Sequence, residues 1–435
     1  MSQVIFIPVE TDPSETRVAA TPETVKKLIG YGFKIIVESG AGIASRITDQ
    51  AFADAGAQIG KTADIKTADI ILKLRRPSST ELKNYKTGAV LIAMLDPYGH
   101  EDSVAAIAQA GLTAFTMEFM PRITRAQVMD VLSSQANLAG YQAVIDAAAE
   151  YGRAMPMMMT AAGTVPAAKV FVMGAGVAGL QAIATARRLG AVVTATDVRP
   201  AAKEQVASLG AKFVAVEDDE FKAAETAGGY AKEMSKDYQA KQAALVADHI
   251  AKQDIVITTA LIPGRAAPRL VSATMVASMK PGSVLVDLAV ERGGNVEGAV
   301  AGQVVEKDGV KIIGHMNTAG RIAASASQLY ARNLFAFLET LIDKETKQVV
   351  INLEDELVKA TVLTHQGAIV HPAFADAKAA PVAADKKAEA APKPAVKKAP
   401  VKKAAPKKPA AAKPATKTGA GKKTVNEAGN KGDEA

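Results

Sequence analysis

Short continuous apolar runs alternate with helix-period segments along most of the chain. The runs Val4–Glu10, Phe33–Glu38, Asp69–Leu74, Ala89–Leu95 and Leu112–Glu118 predict a first set of strands. The intervening segments Glu23–Tyr31 and Ser103–Ala110 read as helices stopped by Gly32 and Gly111, since glycine just past the last turn is a usual helix terminator. A second set follows in Lys169–Met173, Ala191–Thr196, Ala211–Val216, Asp254–Leu261, Ser283–Val290 and Val310–Gly314. Strands apolar throughout and separated by helices predict parallel sheets covered on both faces.

Two longer helical stretches, about Arg125–Tyr151 and Ile322–Leu341, separate the sets. Their placement predicts a chain that crosses from one domain to a second and back. The expected fold class is α/β, with two Rossmann-like doubly wound domains and a cleft between them. Residues 1–135 and 342–375 would form a discontinuous first domain and residues 136–341 the second. The block 376–435 is nearly all Ala, Lys and Pro. It has too little large apolar surface to offset chain entropy and is expected to be a disordered basic tail.

Composition alters this picture in three ways. Of 435 residues none is cysteine, which excludes disulfides, thiolate nucleophiles and Cys-ligated metal; no metal site is expected. No tryptophan is present and aromatics are 4%, so platforms for stacking bases are scarce. The net charge of +7 belongs to the lysine-rich tail, which leaves the body slightly acidic. Such a tail can hold anionic polymers through counterion release, but without arginines or aromatics it reads better as a solvated spacer, and no nucleic-acid partner is expected. The start of the chain lacks the pattern of an export signal, and the uncharged stretch Val170–Ala186 falls short of a membrane span. The body is expected in the cytoplasm.

The sharpest local signal is Lys169-Val-Phe-Val-Met-Gly174-Ala-Gly176-Val-Ala-Gly179. It joins a predicted strand to a predicted helix, Leu180–Leu189, and Asp197 closes the next strand. Gly174 permits a tight turn, Gly176 lets main chain approach a pyrophosphate, and Gly179 lets helix lie on strand. The helix start then offers free N–H groups and a positive dipole end to the phosphates. A carboxylate at Asp197 suits the ribose hydroxyls of NAD, while Arg199 beside it could accept a 2′-phosphate. Further back, Arg122, Gln127 and Asp130 stand at a strand-to-helix junction, either as orienting groups or as a solvated helix start. Gly228-Gly229-Tyr230 reads as a hinge carrying an aromatic or as a simple turn. Met155 and Met157–Met159 suggest apolar packing between domains.

These motifs resemble the NAD(H)-binding α subunits of proton-translocating NAD(P) transhydrogenases, a family related to alanine dehydrogenase. The resemblance covers about residues 3–375. It rests on Pro13-Ser-Glu15-Thr-Arg17-Val-Ala, on the stretch Pro121 to Gln135, and on Gly228 to Met234. It implies that Arg122, Gln127, Asp130 and Ser133 contact the nicotinamide and its ribose, with Arg122, Gln127 and Asp130 carrying the reaction. It implies adenosine-side contacts at Val177, Asp197, Val198, Arg199, Gly229, Gln242 and Leu261, and a mobile loop bearing Tyr230 that closes over the nucleotide. The function implied is hydride exchange between NAD(H) here and NADP(H) on a partner subunit, coupled to proton passage by a membrane domain. A homodimer seated at the cytoplasmic face of the membrane through its partners is implied as well.

The competing enzyme is alanine dehydrogenase, whose substrate-binding Arg and Lys would match Arg17 and Lys73. Its acid–base histidine would fall where this chain has Asp96. Amine oxidation requires a group that takes a proton near neutral pH, whereas exchange between two nicotinamide rings does not. Arg17 and Lys73 could then pair with Asp96 or with nearby acids. A non-catalytic NAD-binding protein with a nucleic-acid-associating tail is the third reading.

Overall fold

The computed structural model describes residues 2–224, 234–262 and 264–375. Gly229, Tyr230, the rest of the expected mobile loop up to residue 233, and the tail lie outside the described residues. In chain order the strands are β1 (Val4–Ile7), β2 (Lys34–Glu38), β3 (Gln58–Gly60), β4 (Ile70–Leu72), β5 (Val90–Ala93), β6 (Thr113–Thr116), β7 (Met158–Thr160), β8 (Gly163–Val165) and β9 (Lys169–Met173). They continue as β10 (Val192–Thr196), β11 (Lys212–Phe213), β12 (Ile255–Thr258), β13 (Val284–Asp287), β14 (Gln303–Lys307), β15 (Val310–Gly314), β16 (Val362–His365) and β17 (Ala368–Ile369).

Among the described residues these strands build two large sheets. The eight-stranded sheet runs β17-β16-β6-β5-β4-β1-β2-β3, and the seven-stranded sheet runs β11-β10-β9-β12-β13-β15-β14. Pairing is parallel except where β16 and β17 join β6 and where β14 joins β15. The strand order reverses direction between β4 and β1 in one sheet and between β9 and β12 in the other. In the second sheet the strand before the glycine loop is β9, so the loop opens beside that reversal, where doubly wound sheets bind ligands.

Residue alternation decides which face each side chain covers. Ile5 and Ile7 bury into one core with Leu334 and Phe337, while Phe6 between them buries into the opposite core with Ile71 and Ile107. Val170 and Val172 likewise face one core of the second sheet, and Phe171 and Met173 the other. Each such buried side chain contributes about 1.5–3 kcal/mol relative to exposure.

Three helices connect the sheets to the site, α1 (Val131–Tyr151), α2 (Val177–Arg188) and α3 (Ala323–Leu341). Val131 at the start of α1 sits in a core of the first sheet, whereas Ala143, Val144 and Ala147 further along sit in a core of the second. Gly152, at φ +67, ends the helix. On the return, α3 packs Tyr330, Leu334 and Phe337 onto the first sheet, and the Tyr330 hydroxyl donates to the carbonyl of Lys73 at 2.8 Å. The methionine expectation needs correction. Met155 is buried, but Met157–Met159 are exposed on the β7–β8 hairpin, because that hairpin stands away from both sheets.

Two buried ion clusters line the first sheet. Lys73 is fully buried, with its ammonium 2.7 Å from Glu81 and 3.3 Å from Glu10. Burial works against that charge, but Glu10 and Glu81 outweigh it and push the Lys73 pKa up. Arg17 donates to both oxygens of Glu15 at 2.7 Å and to Gln135 of α1 at 2.8 Å, and Arg75 donates to Glu15 at 2.7 Å. Of the two pairings expected for Arg17 and Lys73, nearby acids are therefore the partners and Asp96 is not. Asp96 instead bridges the sheets by an ion pair with Arg292.

Burial alone would raise the Glu15 carboxyl, yet Arg17 and Arg75 hold it at about 2. An unfolded glutamate titrates near about 4.3, so the folded pKa is the lower one. Its contribution to stability is complete above about 4.3 and disappears as pH falls toward 2. Glu15→Gln strands a buried guanidinium and should cost about 3–5 kcal/mol at neutral pH. Urea midpoints of the wild type and Glu15→Gln should converge as pH is lowered from about 5. A gap that stays constant would remove Glu15 from the buried network.

Candidate functional site: a dinucleotide crevice

The glycine loop follows β9 directly. Gly174 has φ +104, and a side chain on it would come within 2.6 Å of the Thr259 hydroxyl, which donates to the Gly174 carbonyl at 3.0 Å. Gly176 is the N-cap of α2 and has open space where a Cβ would stand. No side chain caps this helix, which leaves its first N–H groups without a capping partner. A Cβ on Gly179 would lie 1.8 Å from the Gly174 carbonyl oxygen, so α2 is seated directly on the loop. The helix begins at Val177, three residues ahead of the Leu180 expected from the sequence, which places Gly179 inside its first turn.

Asp197 stands just past β10 with its carboxylate almost wholly buried. One oxygen accepts the Ala175 N–H of the glycine loop at 2.7 Å. Arg199 approaches both oxygens, through its Nε at 2.9 Å and Nη2 at 3.0 Å, and its own N–H reaches Asp197 at 2.9 Å. The acid thus braces the loop and carries a cation.

The opposite wall comes from residues before α1 and from its first turn. The side chain of Asp130 caps α1, accepting the Ser133 N–H at 2.8 Å and the Ser133 hydroxyl at 2.5 Å. Capping of this kind typically stabilises a helix by about 1 kcal/mol. Both Asp130 oxygens are thereby engaged with Ser133, so its first task is to fix the helix start. A cavity of about 370 Å³ joins the two walls. Arg122, Gln127, Asp130 and Ser133 line one side, and Gly176, Val177, Leu180 and Arg199 the other. That volume is in the range of small-molecule and cofactor sites.

The remaining expected residues that the structure describes stand outside this cavity. Gly174, Gly179 and Asp197 shape the loop from behind. Val198 and Leu261 are exposed, and Gln242 accepts from the Val216 N–H at 2.9 Å and donates to the Thr196 hydroxyl at 3.0 Å. Leu180 and Gln205 line the cavity without having been expected. Leu180 could have been read from its place one residue after Gly179. Gln205 arrives from the separate helix Ala202–Ser208 and carries no motif.

A second cavity, of about 580 Å³, lies by Met155, Pro156, Leu189 and Gly190, away from the glycine loop, and its lining is mostly apolar, with Arg188 the one charged residue on it. Among the described residues no cluster of His, Cys, Asp or Glu could hold a metal ion.

Comparison with known proteins follows this geometry. The family described as alanine dehydrogenase/PNT matches through its N-terminal domain at residues 6–139 and its C-terminal domain at residues 143–372. An NAD(P) transhydrogenase alpha subunit of Rhodospirillum rubrum is 57% identical over 377 residues, covering 85% of this chain and 98% of that protein. The crystal structure of a transhydrogenase from Sinorhizobium meliloti is 68% identical with a TM-score of 0.78, covering 85% of this chain and all of that one. Alanine dehydrogenase of Mycobacterium tuberculosis is more distant, 33% identical over 300 residues, covering 68% of this chain and 74% of that protein. The chain belongs to the alanine dehydrogenase/PNT family and stands within it among the NAD(P) transhydrogenase alpha subunits.

Proposed function

We propose that this chain binds NAD(H) across the crevice and exchanges hydride directly with NADP(H) held by a separate subunit. The exchange would be coupled to proton passage by a membrane-embedded component. The observation that carries this reading is the single cavity shared by the Arg122–Ser133 wall and the glycine loop, at the strand-order reversal of a parallel sheet. When bound, a dihydronicotinamide supplies the hydride, which moves with both electrons and leaves no proton for the protein to take. Positioning and exclusion of water are then what the side chains must provide.

The glycine loop and the α2 start are suited to the pyrophosphate, and Asp197 with Arg199 to the adenosine ribose. Arg122 and Gln127, at the other end of the cavity, would orient the ring, with Asp130 holding Ser133 beside it. The alternative acid–base chemistry finds no support in the same residues. Lys73 and Arg17 are enclosed by Glu10, Glu81 and Glu15, and Asp96 is tied to Arg292.

Relatives named as alpha subunits imply further subunits. Among the described residues no helix is long and apolar enough to cross a membrane, which supports recruitment to the membrane by those subunits. The exposed Met157–Met159 edge of the β7–β8 hairpin supports a homodimer that covers it.

The deciding experiment mixes the purified chain with membranes carrying the partner subunit and follows hydride exchange between NADH and an NADP analogue. Exchange should require both components. A parallel assay of NADH oxidation with pyruvate and ammonia, without membranes, should show no turnover. Rates there of about 1–1000 per second would replace this reading with alanine dehydrogenase.

Asp197→Ala should weaken NADH binding by about 1–3 kcal/mol, since it strands ribose hydroxyls and releases the loop N–H. The freed Arg199 should narrow the preference against NADPH. Parallel titrations with the two nucleotides test this, and unchanged affinities for both would remove Asp197 from the site.

Gln127→Ala should slow exchange far more than it weakens NADH binding, because misplacement of a reacting ring costs rate steeply, about 100-fold per ångström. Asp130→Ala should lower the rate and also the thermal midpoint, having lost a helix cap worth about 1 kcal/mol. Equal losses of rate and affinity in Gln127→Ala would reduce that residue to an ordinary binding group.

A further inference from the structure

We propose that Gly140, in the middle of α1, is a positioning residue, and that its missing side chain sets the separation of the cavity's two walls. The rate arm of its test rests on the hydride-exchange reading above, whereas the binding arm needs only a nucleotide site.

Gly140 is buried in a helix and lies outside the positive-φ region. Glycine weakens a helix interior, so a local conformational need does not account for it. The contact with α2 does. A Cβ on Gly140 would stand 2.0 Å from the carbonyl oxygen of Ala178 and 2.8 Å from its carbonyl carbon. Both are main-chain atoms and cannot turn aside as a side chain would. A real Cβ does not approach closer than 3.0 Å, so an alanine would force the two helices apart by about 1 Å (3.0 against 2.0 Å).

The contact bears directly on the cavity. Ser133, Asn137 and Gly140 follow one another by four and three residues, so they share one face of α1. Ser133 lines the cavity, the Asn137 side chain donates to Gln181 of α2 at 3.3 Å, and Gly140 rests on Ala178. On α2, Ala178 stands between Val177, which lines the opposite wall, and Gly179, which is pressed onto the Gly174 carbonyl. Gly179 is already pressed onto the Gly174 carbonyl, so a shift of α2 would carry the glycine loop with it. The displacement is assigned to α1, which carries Ser133 and the Asp130 cap. The ring wall would move while the phosphate wall stayed in place.

The test compares two ligands on the full chain. ADP-ribose has the adenosine, both phosphates and both riboses but no nicotinamide, and NADH has the ring as well. In Gly140→Ala the ADP-ribose Kd should stay within about twofold, the NADH Kd should rise about three- to tenfold, and exchange at saturating NADH should fall at least about tenfold. An unchanged NADH Kd, or equal weakening of both ligands, would overturn the proposal. Should Gly140→Ala lose its cooperative melt, Asn137→Ala decides. It removes a tie across the same contact without inserting an atom, and should raise the NADH Kd about twofold, leaving ADP-ribose unchanged. If Asn137→Ala moves both ligands alike, or neither, the proposal fails. Absence of exchange by the wild type would overturn the proposed function, and the binding comparison would still decide the role of Gly140.

Discussion

One helix is shared by two hydrophobic cores, and the rest of the architecture follows from that sharing. Val131 is committed to the first sheet, and Ala143, Val144 and Ala147 to the second, so any shift of α1 costs apolar burial on one side. Polar ties hold its far half as well. Asp146, nearly buried, accepts from Gln142, His315 and Arg321, and Glu150 pairs with Lys311 at the entrance to β15. The start of this helix forms one wall of the crevice. Its capping carboxylate, Asp130, therefore has a local structural role at the place where the chemistry is expected.

The other wall is fixed differently. The glycine loop has its shape from turns and close main-chain approaches, and the Asp197–Arg199 pair closes it from behind. A carboxylate that already holds an arginine and an amide is preorganised, since its geometry does not wait for a ligand. The arginine also lines the cavity, so in the proposed reading discrimination between two nucleotides that differ by one phosphate would depend on how firmly that pair holds.

Much of this was legible in the sequence, for physical reasons. Inner strands such as Lys169–Met173 and Val310–Gly314 are mostly buried and read as apolar runs with at most one lysine, so even their boundaries agree with the structure. The glycine loop was legible because turn, close approach and helix seating each require glycine at a set spacing. Edge elements were not. Gln58–Gly60, Gln303–Lys307, Val362–His365 and Ala368–Ile369 are short or partly exposed and lack a continuous apolar signal. The Met157–Met159 run shows the converse error, since apolar composition does not reveal whether a hairpin lies inside or outside. At the site, Asp130 read as one polar group among several. Its capping role depends on the exact start of α1, and boundaries are what periodicity locates least well. Gln205 reaches the cavity from a helix distant in sequence, and no local pattern could have announced it.

The two tightest approaches beside the crevice, Gly179 on the Gly174 carbonyl and Gly140 on the Ala178 carbonyl, are both main chain against main chain. A gauge made of backbone does not change when neighbouring side chains are exchanged. The width of the crevice is therefore insulated from most substitutions around it. Homologues could replace much of the surrounding packing and still hold a nucleotide at the same depth. The vulnerability is concentrated in the few positions where the smallest possible change, a single methyl group, is also the most disruptive one.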